Sequence, residues 1–231
     1  MLDPMGRVAM VSGASRGIGR KVVDDLIAAG FIVSAGMRDP GATPSHERLS
    51  VHRYDAGDAD SPKEWLAATM AKHGRLDALV NAAGINPKAL LMNDDETALD
   101  LTWAINVKGP MRLIRAALPA LRKAGTGRVV NIASLSGKRV ANDNIGYAMS
   151  KFALLALTQE VRRQGWDDGV RATAVCPGFV ATDMTAHVTA VPRAAMTDAA
   201  DVAVLVRTAL LLPNNATVGE ILVNWRLEAL L

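Results

Sequence analysis

The sequence has a single cysteine, Cys176, so no disulfide can form within the chain. That suits a reducing compartment, and a cytoplasmic location is expected. Cys176 itself reads as a small buried hydrophobe at a strand end rather than a nucleophile. Histidines are few. His46, His52, His73 and His187 are scattered without metal-ligand spacing, so no metal site is expected and all four read as surface residues. No apolar run approaches the roughly 20 residues needed to cross a bilayer, which argues against a membrane partner. The start, Met1-Leu2-Asp3-Pro4, carries no signal sequence. Blocks of like charge are also missing. Charged residues make up 21%, both signs are interspersed, and the net charge is +3 with a pI near 9.2. Without a basic run or an aromatic–basic stripe, that pI does not argue for a nucleic-acid partner.

What is present is an ordinary apolar content of 50% in 231 residues, enough for one large core. No repeat, linker or low-complexity segment divides the chain, so residues 1–231 are read as one domain. Short apolar runs alternate with helical patterns. Runs at Arg7–Ser12, Phe31–Gly36, Ser50–Tyr54, Leu76–Asn81, Arg128–Ala133, Val170–Cys176 and Glu220–Val223 predict seven strands. Helices are expected from the glycine loop to Gly30, from Ser61 to His73, from Asp95 to Lys123, from Tyr147 to Gln164 and from Asp198 to Leu212. Ser61-Pro-Lys-Glu64 has the spacing of a capping box. The long helix is expected to kink at Gly109-Pro110. Pro40–Leu49, with Pro44 and Ser45, reads as a loop. The pattern predicts an α/β fold, a doubly wound, Rossmann-type parallel sheet of about seven strands with helices on both faces.

The first strand stops at Gly13-Ala-Ser-Arg-Gly17-Ile-Gly19, and a helix follows. Strand, glycine turn, helix is the setting in which backbone can approach a pyrophosphate, with free N–H groups and a positive dipole end facing it. Gly13, Ser15, Arg16, Gly17, Ile18 and Gly19 are therefore candidate cofactor residues. A dinucleotide fold selects its cofactor about 20 residues further on. Here the second strand ends in Met37-Arg38-Asp39, and Arg38 with Arg16 offers two guanidinium groups to a 2′-phosphate. NADP(H) is thus expected over NAD(H); Asp39 turned inward would weaken that preference. Asp55, at the end of the third strand, could accept from an adenine amino group. Asn81-Ala82-Ala83-Gly84 places small residues where a cofactor could lie close over the backbone.

Tyr147 and Lys151 are four apart, one turn along one face of a helix. A nearby ammonium favours the phenolate, which would let the tyrosine exchange a proton with a carbonyl or alcohol. Ser134 closes the fifth strand, where ligand crevices of such sheets lie. Asn106 is an awkward residue inside the long helix. Ser136, Asn142, Asn144, Asn86 and Phe179 are candidate substrate-wall residues. Lys138 and Arg139 nearby either favour an acidic or carrier-linked substrate or are solvated loop cations.

With these residues in order, the chain resembles the short-chain dehydrogenase/reductase family over essentially its whole length, in its compact single-domain branch. Ser12 to Gly19 is similar to the family's cofactor loop, and Asn81 to Gly84 to its N-A-G motif. Asn106, Ser134, Tyr147 and Lys151 resemble its catalytic tetrad, and Pro177-Gly178, with Val180 and Thr182, its nicotinamide-contacting segment. The resemblance implies a carbonyl/alcohol oxidoreductase. In it Ser134 polarises the oxygen, Tyr147 exchanges the proton, Lys151 lowers the tyrosine pKa and binds the nicotinamide ribose, and Asn106 holds a water. It extends to 3-oxoacyl thioester reductases as much as to other ketone or sugar reductases, and implies a homo-oligomer, dimer or tetramer. The alternative is a catalytically silent NADP(H)-binding sensor or partner subunit. Two departures stand out: the tail Val223-Asn224-Trp225-Arg226, where many members carry an aspartate and paired glycines, and a short Thr182–Met196 segment, which implies a more open pocket.

Overall fold

The computed structural model describes residues 1–41 and 46–228. Seven parallel strands form one sheet: β1 Val8–Ser12, β2 Ile32–Met37, β3 Leu49–Arg53, β4 Ala78–Asn81, β5 Arg128–Ile132, β6 Arg171–Pro177 and β7 Glu220–Val223. Their spatial order is 3-2-1-4-5-6-7. The order reverses at β1, which pairs with β2 on one side (Val8 opposite Ile32) and β4 on the other (Ala9 opposite Ala78). A crevice opens at such a reversal, beyond the strands' carboxyl ends. Pro44 and Ser45 of the expected Pro40–Leu49 loop lie outside the described residues.

Helices cover both faces, which is why the strands are apolar without alternation. Ala9 and Val11 of β1 join a cluster with α1 (Gly17–Ala29) and α6 (Ala199–Leu211), through Val22, Leu26, Val202 and Val206. Val8 and Met10 point the other way, to α2 (Ser61–His73), α4 (Gly109–Lys123) and α5 (Ile145–Gly165), through Trp65, Leu113, Leu121 and Val161. At the amino ends of the strands, buried Asp77 accepts from the Val8 N–H and from Arg75, at 2.7–2.9 Å. No helix among the described residues is long and apolar enough to cross a membrane.

Three local readings are corrected. The expected capping box at α2 does not form. Asp60 is the N-cap residue without a side-chain bond, and the Ser61 hydroxyl instead accepts from the Asp55 N–H at 3.0 Å. The irregularity expected at Gly109-Pro110 lies one turn earlier. Between α3 (Thr97–Trp103) and α4, residues Ala104–Lys108 wind as a π-helical turn. Pro110 crowds the carbonyl four residues before it, that of Asn106, and one extra residue in the turn relieves the crowding. Finally, His52 and His73 are half-buried rather than on the surface; His73 Nε2 meets the Ser50 hydroxyl at 3.2 Å.

Candidate active site

The glycine loop is shaped by close backbone approach. Gly13 has φ +66°, and a Cβ there would lie 2.7 Å from the Ala83 nitrogen; a Cβ on Gly19 would collide with the Gly13 carbonyl oxygen. No side chain larger than hydrogen fits either position. Ser12 ties the loop to its neighbour: its hydroxyl accepts from the Ala82 and Ala83 N–H groups at 3.1 and 3.2 Å. At the α1 N-terminus, Arg16 makes no side-chain capping bond. The first N–H groups of α1 are therefore open, an anion-binding arrangement.

A cleft of about 660 Å³ runs from this loop along the strand ends. Ser15 through Gly19, Arg38 and Asp55 line one end of it; Ala82 and Gly84 line the middle. Arg38 is exposed, and Asp39 turns away: its Oδ1 accepts from the Gly41 N–H at 3.0 Å. Asp55 Oδ1 is held by the Gly57 N–H at 2.9 Å. Asn81 is buried behind the wall and donates to Asn131 Oδ1 at 2.8 Å.

Ser134, Tyr147 and Lys151 meet in the cleft's interior. Ser134 follows β5, its hydroxyl accepting from the Ser136 N–H at 3.0 Å. Tyr147 and Lys151 sit one turn apart on α5, and the Lys151 ammonium lies 5.4 Å from the Tyr147 ring centroid. Lys151 Nζ donates to the Ile132 carbonyl at 2.8 Å. Burial pushes the Tyr147 phenol up to about 12, partly opposed by its hydrogen bond with Ser134. Burial likewise pulls Lys151 down to about 8. Desolvation outweighs the downward pull expected from a neighbouring ammonium.

Asn106 does not reach the cleft. The π turn aims it inward, where Oδ1 accepts from the Ile85 N–H at 2.9 Å and Nδ2 donates to the Ile85 carbonyl and to Ser150 Oγ at 2.9 and 3.1 Å. Its side chain thus pins the segment after Gly84. Among the described residues no group of three or more His, Cys, Asp and Glu could hold a metal.

The chain matches the short chain dehydrogenase family over residues 7–192. It belongs to the short-chain dehydrogenase/reductase family. It is 42% identical over 217 residues to agropine synthesis reductase of Rhizobium rhizogenes, covering 91% of this chain and 50% of that protein. The chain thus spans about half the length of that relative. It is 30% identical over 184 residues to acetoacetyl-CoA reductase of Shinella zoogloeoides, covering 78% of this chain and 76% of that one. The solved alcohol dehydrogenase of the archaeon Thermococcus sibiricus, complexed with 5-hydroxy-NADP, superposes with a TM-score of 0.82 at 26% identity. The match covers 94% of this chain and 95% of that one.

At the other end of this reductase-family cleft the wall is built by Ser136, Asn86, Asn142, Pro177, Gly178 and Phe179. Val180 and Thr182 complete that side. Asn144 is not part of the wall. It bridges α5 to the 86–89 loop, accepting from the Ala89 N–H at 3.0 Å and donating to Asn86 Oδ1 and the Pro87 carbonyl at 2.8 and 2.9 Å. Lys138 and Arg139 are not free cations: Lys138 pairs with Glu220 at 2.7 Å and Arg139 with Glu228 at 2.7 Å. The Thr182–Met196 segment reaches back across the cleft, where Arg16 and Asp183 pair at 3.4 Å.

Among the wall residues that escaped sequence reasoning as site residues are Trp225, Arg226 and Glu228. The departure of the tail from the family pattern was the available signal. Trp225 packs on Gly178, where a Cβ would lie 2.8 Å from its Cδ1, and its ring centroid is 5.9 Å from that of Phe179.

Proposed function

We propose that the chain is an NADP(H)-dependent oxidoreductase interconverting a carbonyl and a secondary alcohol. The observation that carries the reading is the meeting of Ser134, Tyr147 and Lys151 in one cleft, with the Lys151 ammonium 5.4 Å from the Tyr147 ring centroid. The open α1 N-terminus and the glycine cradle fit a pyrophosphate, and Arg38 fits a 2′-phosphate, since Asp39 faces its own turn. Ser15 to Gly19, Asp55, Ala82, Gly84, Lys151 and the Pro177–Thr182 segment would hold the rest of the cofactor. When bound, the nicotinamide supplies or accepts the hydride.

The residues of the chain do the remainder. Ser134 donates a hydrogen bond to the carbonyl oxygen and holds it against Tyr147. A phenol held near 12 is protonated at neutral pH, so Tyr147 stands ready as the acid. It hands its proton to the oxygen as negative charge develops there, and takes it back in the oxidation direction. Lys151, near 8 and largely cationic at pH 7, steadies the phenolate left behind. Asn106 serves by fixing Ile85, and through it the cleft floor beside Gly84.

The test is NADPH consumption across acetoacetyl thioesters, diketones, aldehydes, cyclic ketones and keto sugars, with NADH and Tyr147→Phe in parallel. Turnover with one class, lowered about 10²–10⁴-fold by Tyr147→Phe while NADPH still binds, is the expected result. Undiminished turnover in the variant would remove Tyr147 from the chemistry.

A further inference from the structure

The hydrogen-bond pattern of the cleft wall fixes what its open groups can recognise. The Ala89 N–H must meet an oxygen, so the Asn144 atom facing it is Oδ1. Asn144 Nδ2 then points to the Pro87 carbonyl and to Asn86, which must present Oδ1 in turn. Asn86 is left with its amide nitrogen uncommitted. The Asn144 N–H likewise takes Asn142 Oδ1, leaving Asn142 with its amide nitrogen. Two wall carboxamides therefore offer donors and no free carbonyl facing those bonds.

The charges at this end point the same way. Glu228 is taken by Arg139, through Nε and Nη2 to one oxygen at 3.0 and 2.7 Å, and Asp183 by Arg16. Arg226 lines the cleft, and its guanidinium lies 4.8 Å from the Trp225 ring centroid. Among the described residues it has no carboxylate partner. A guanidinium drawn to an indole by cation–π attraction still has its N–H donors to offer, a chemistry suited to a carboxylate.

Resting on the reductase reading above, we propose that the substrate is a carbonyl compound carrying a carboxylate, which Arg226 receives. The carboxamides of Asn86 and Asn142 donate to oxygens of the same molecule. Arg226 is the specificity-determining residue of the pocket.

The test compares keto acids with their methyl esters, acetoacetate and levulinate against methyl acetoacetate and methyl levulinate, with dihydroxyacetone phosphate as a phosphate-bearing ketone. The ratio of kcat/KM for acid over ester is expected to fall about 10- to 100-fold in Arg226→Gln, the worth of one charge-assisted hydrogen-bonded contact, and to recover partly in Arg226→Lys. Calorimetry of levulinate on NADPH-loaded Tyr147→Phe, with and without Arg226→Gln, reads binding apart from turnover. Levulinate bound and then lost with Arg226→Gln, in the absence of any turnover, would remove the reductase reading and keep the carboxylate site. Esters used as well as acids with the ratio unmoved by Arg226→Gln, turnover confined to the phosphorylated ketone, or neither turnover nor levulinate binding, would each overturn the inference.

Discussion

Lys151 Nζ donates to the Ile132 carbonyl at 2.8 Å and faces the Tyr147 ring at 5.4 Å, so one buried ammonium ties β5 to the phenol of α5. Its burial has a stability consequence. The folded value near 8 lies below a lysine's ordinary 10.5, so the unfolded chain holds the proton more tightly. Below pH 8 both states are protonated and the folded chain bears the full cost of the buried charge, on the order of 3 kcal/mol. Between about pH 8 and 10.5 the folded state sheds the proton first, and stability rises with pH. Lys151→Met removes that slope. Urea unfolding of the cofactor-free protein from pH 7 to 10 is expected to show wild type gaining on the variant by about 2–3 kcal/mol. A constant difference would mean that Lys151 titrates near its ordinary value.

On the proposed reading, Arg38 carries the cofactor choice. It is exposed at the end of β2 and lines the cleft, while Arg16 is already engaged with Asp183. Arg38→Ala is expected to lower kcat/KM for NADPH about 10- to 100-fold and to leave NADH within about twofold. The Arg16→Ala effect should be smaller, because its loss also frees Asp183. Both NADPH effects should shrink as salt rises, since the contact is between exposed charges. Equal losses for NADPH and NADH would place Arg38 outside the 2′-phosphate contact.

The sheet was legible because buried parallel strands need no alternation: Val8 to Ser12 serves two cores at once, and its apolar run says so directly. The Tyr147–Lys151 spacing was legible because both residues lie on one helix. What escaped depends on partners far away in the chain. Asn144 reads as a wall residue until the Ala89 N–H, 55 positions back, takes its carbonyl. Arg139 reads as a free cation until Glu228, 89 positions on, takes its charge. Ser61 reads as half of a capping box, yet a competing donor, the Asp55 N–H, captured its hydroxyl. Gly109-Pro110 announced a disturbed helix, but not that the relief would come as a π turn centred on Asn106.

The Arg139–Glu228 pair is the clasp of the tail. Its side chains retain only 17% and 9% exposure, so the attraction is poorly screened. The tail otherwise rests on Trp225 against Gly178 and Phe179. Glu228→Gln leaves Arg139 half-buried without a counter-charge and should raise the population of an open tail. Limited trypsin digestion reports it, through cleavage after Arg226. A roughly tenfold faster cut, with the global unfolding midpoint nearly unmoved, is expected for about 1.4 kcal/mol of local opening. An unchanged cleavage rate would show that the aromatic contact alone holds the tail.

Asn106 is the residue whose loss should cost stability as well as activity. It is almost fully buried, and its carboxamide satisfies both the N–H and the carbonyl of Ile85, besides Ser150. Asn106→Ala strands these groups, at about 1–3 kcal/mol for each one left without a partner. Asn106→Asp keeps the acceptor for the Ile85 N–H but turns an oxygen toward the Ile85 carbonyl, so it should fare no better. A loss of about 2–4 kcal/mol in urea unfolding is expected for both, because water reaches the stranded groups only in part. If the role were confined to the proton path, turnover would collapse while the unfolding midpoint stayed put. A role confined to holding Ile85 predicts the opposite order. Stability falls first, and turnover falls with it as the floor beside Gly84, Lys151 and Tyr147 loosens.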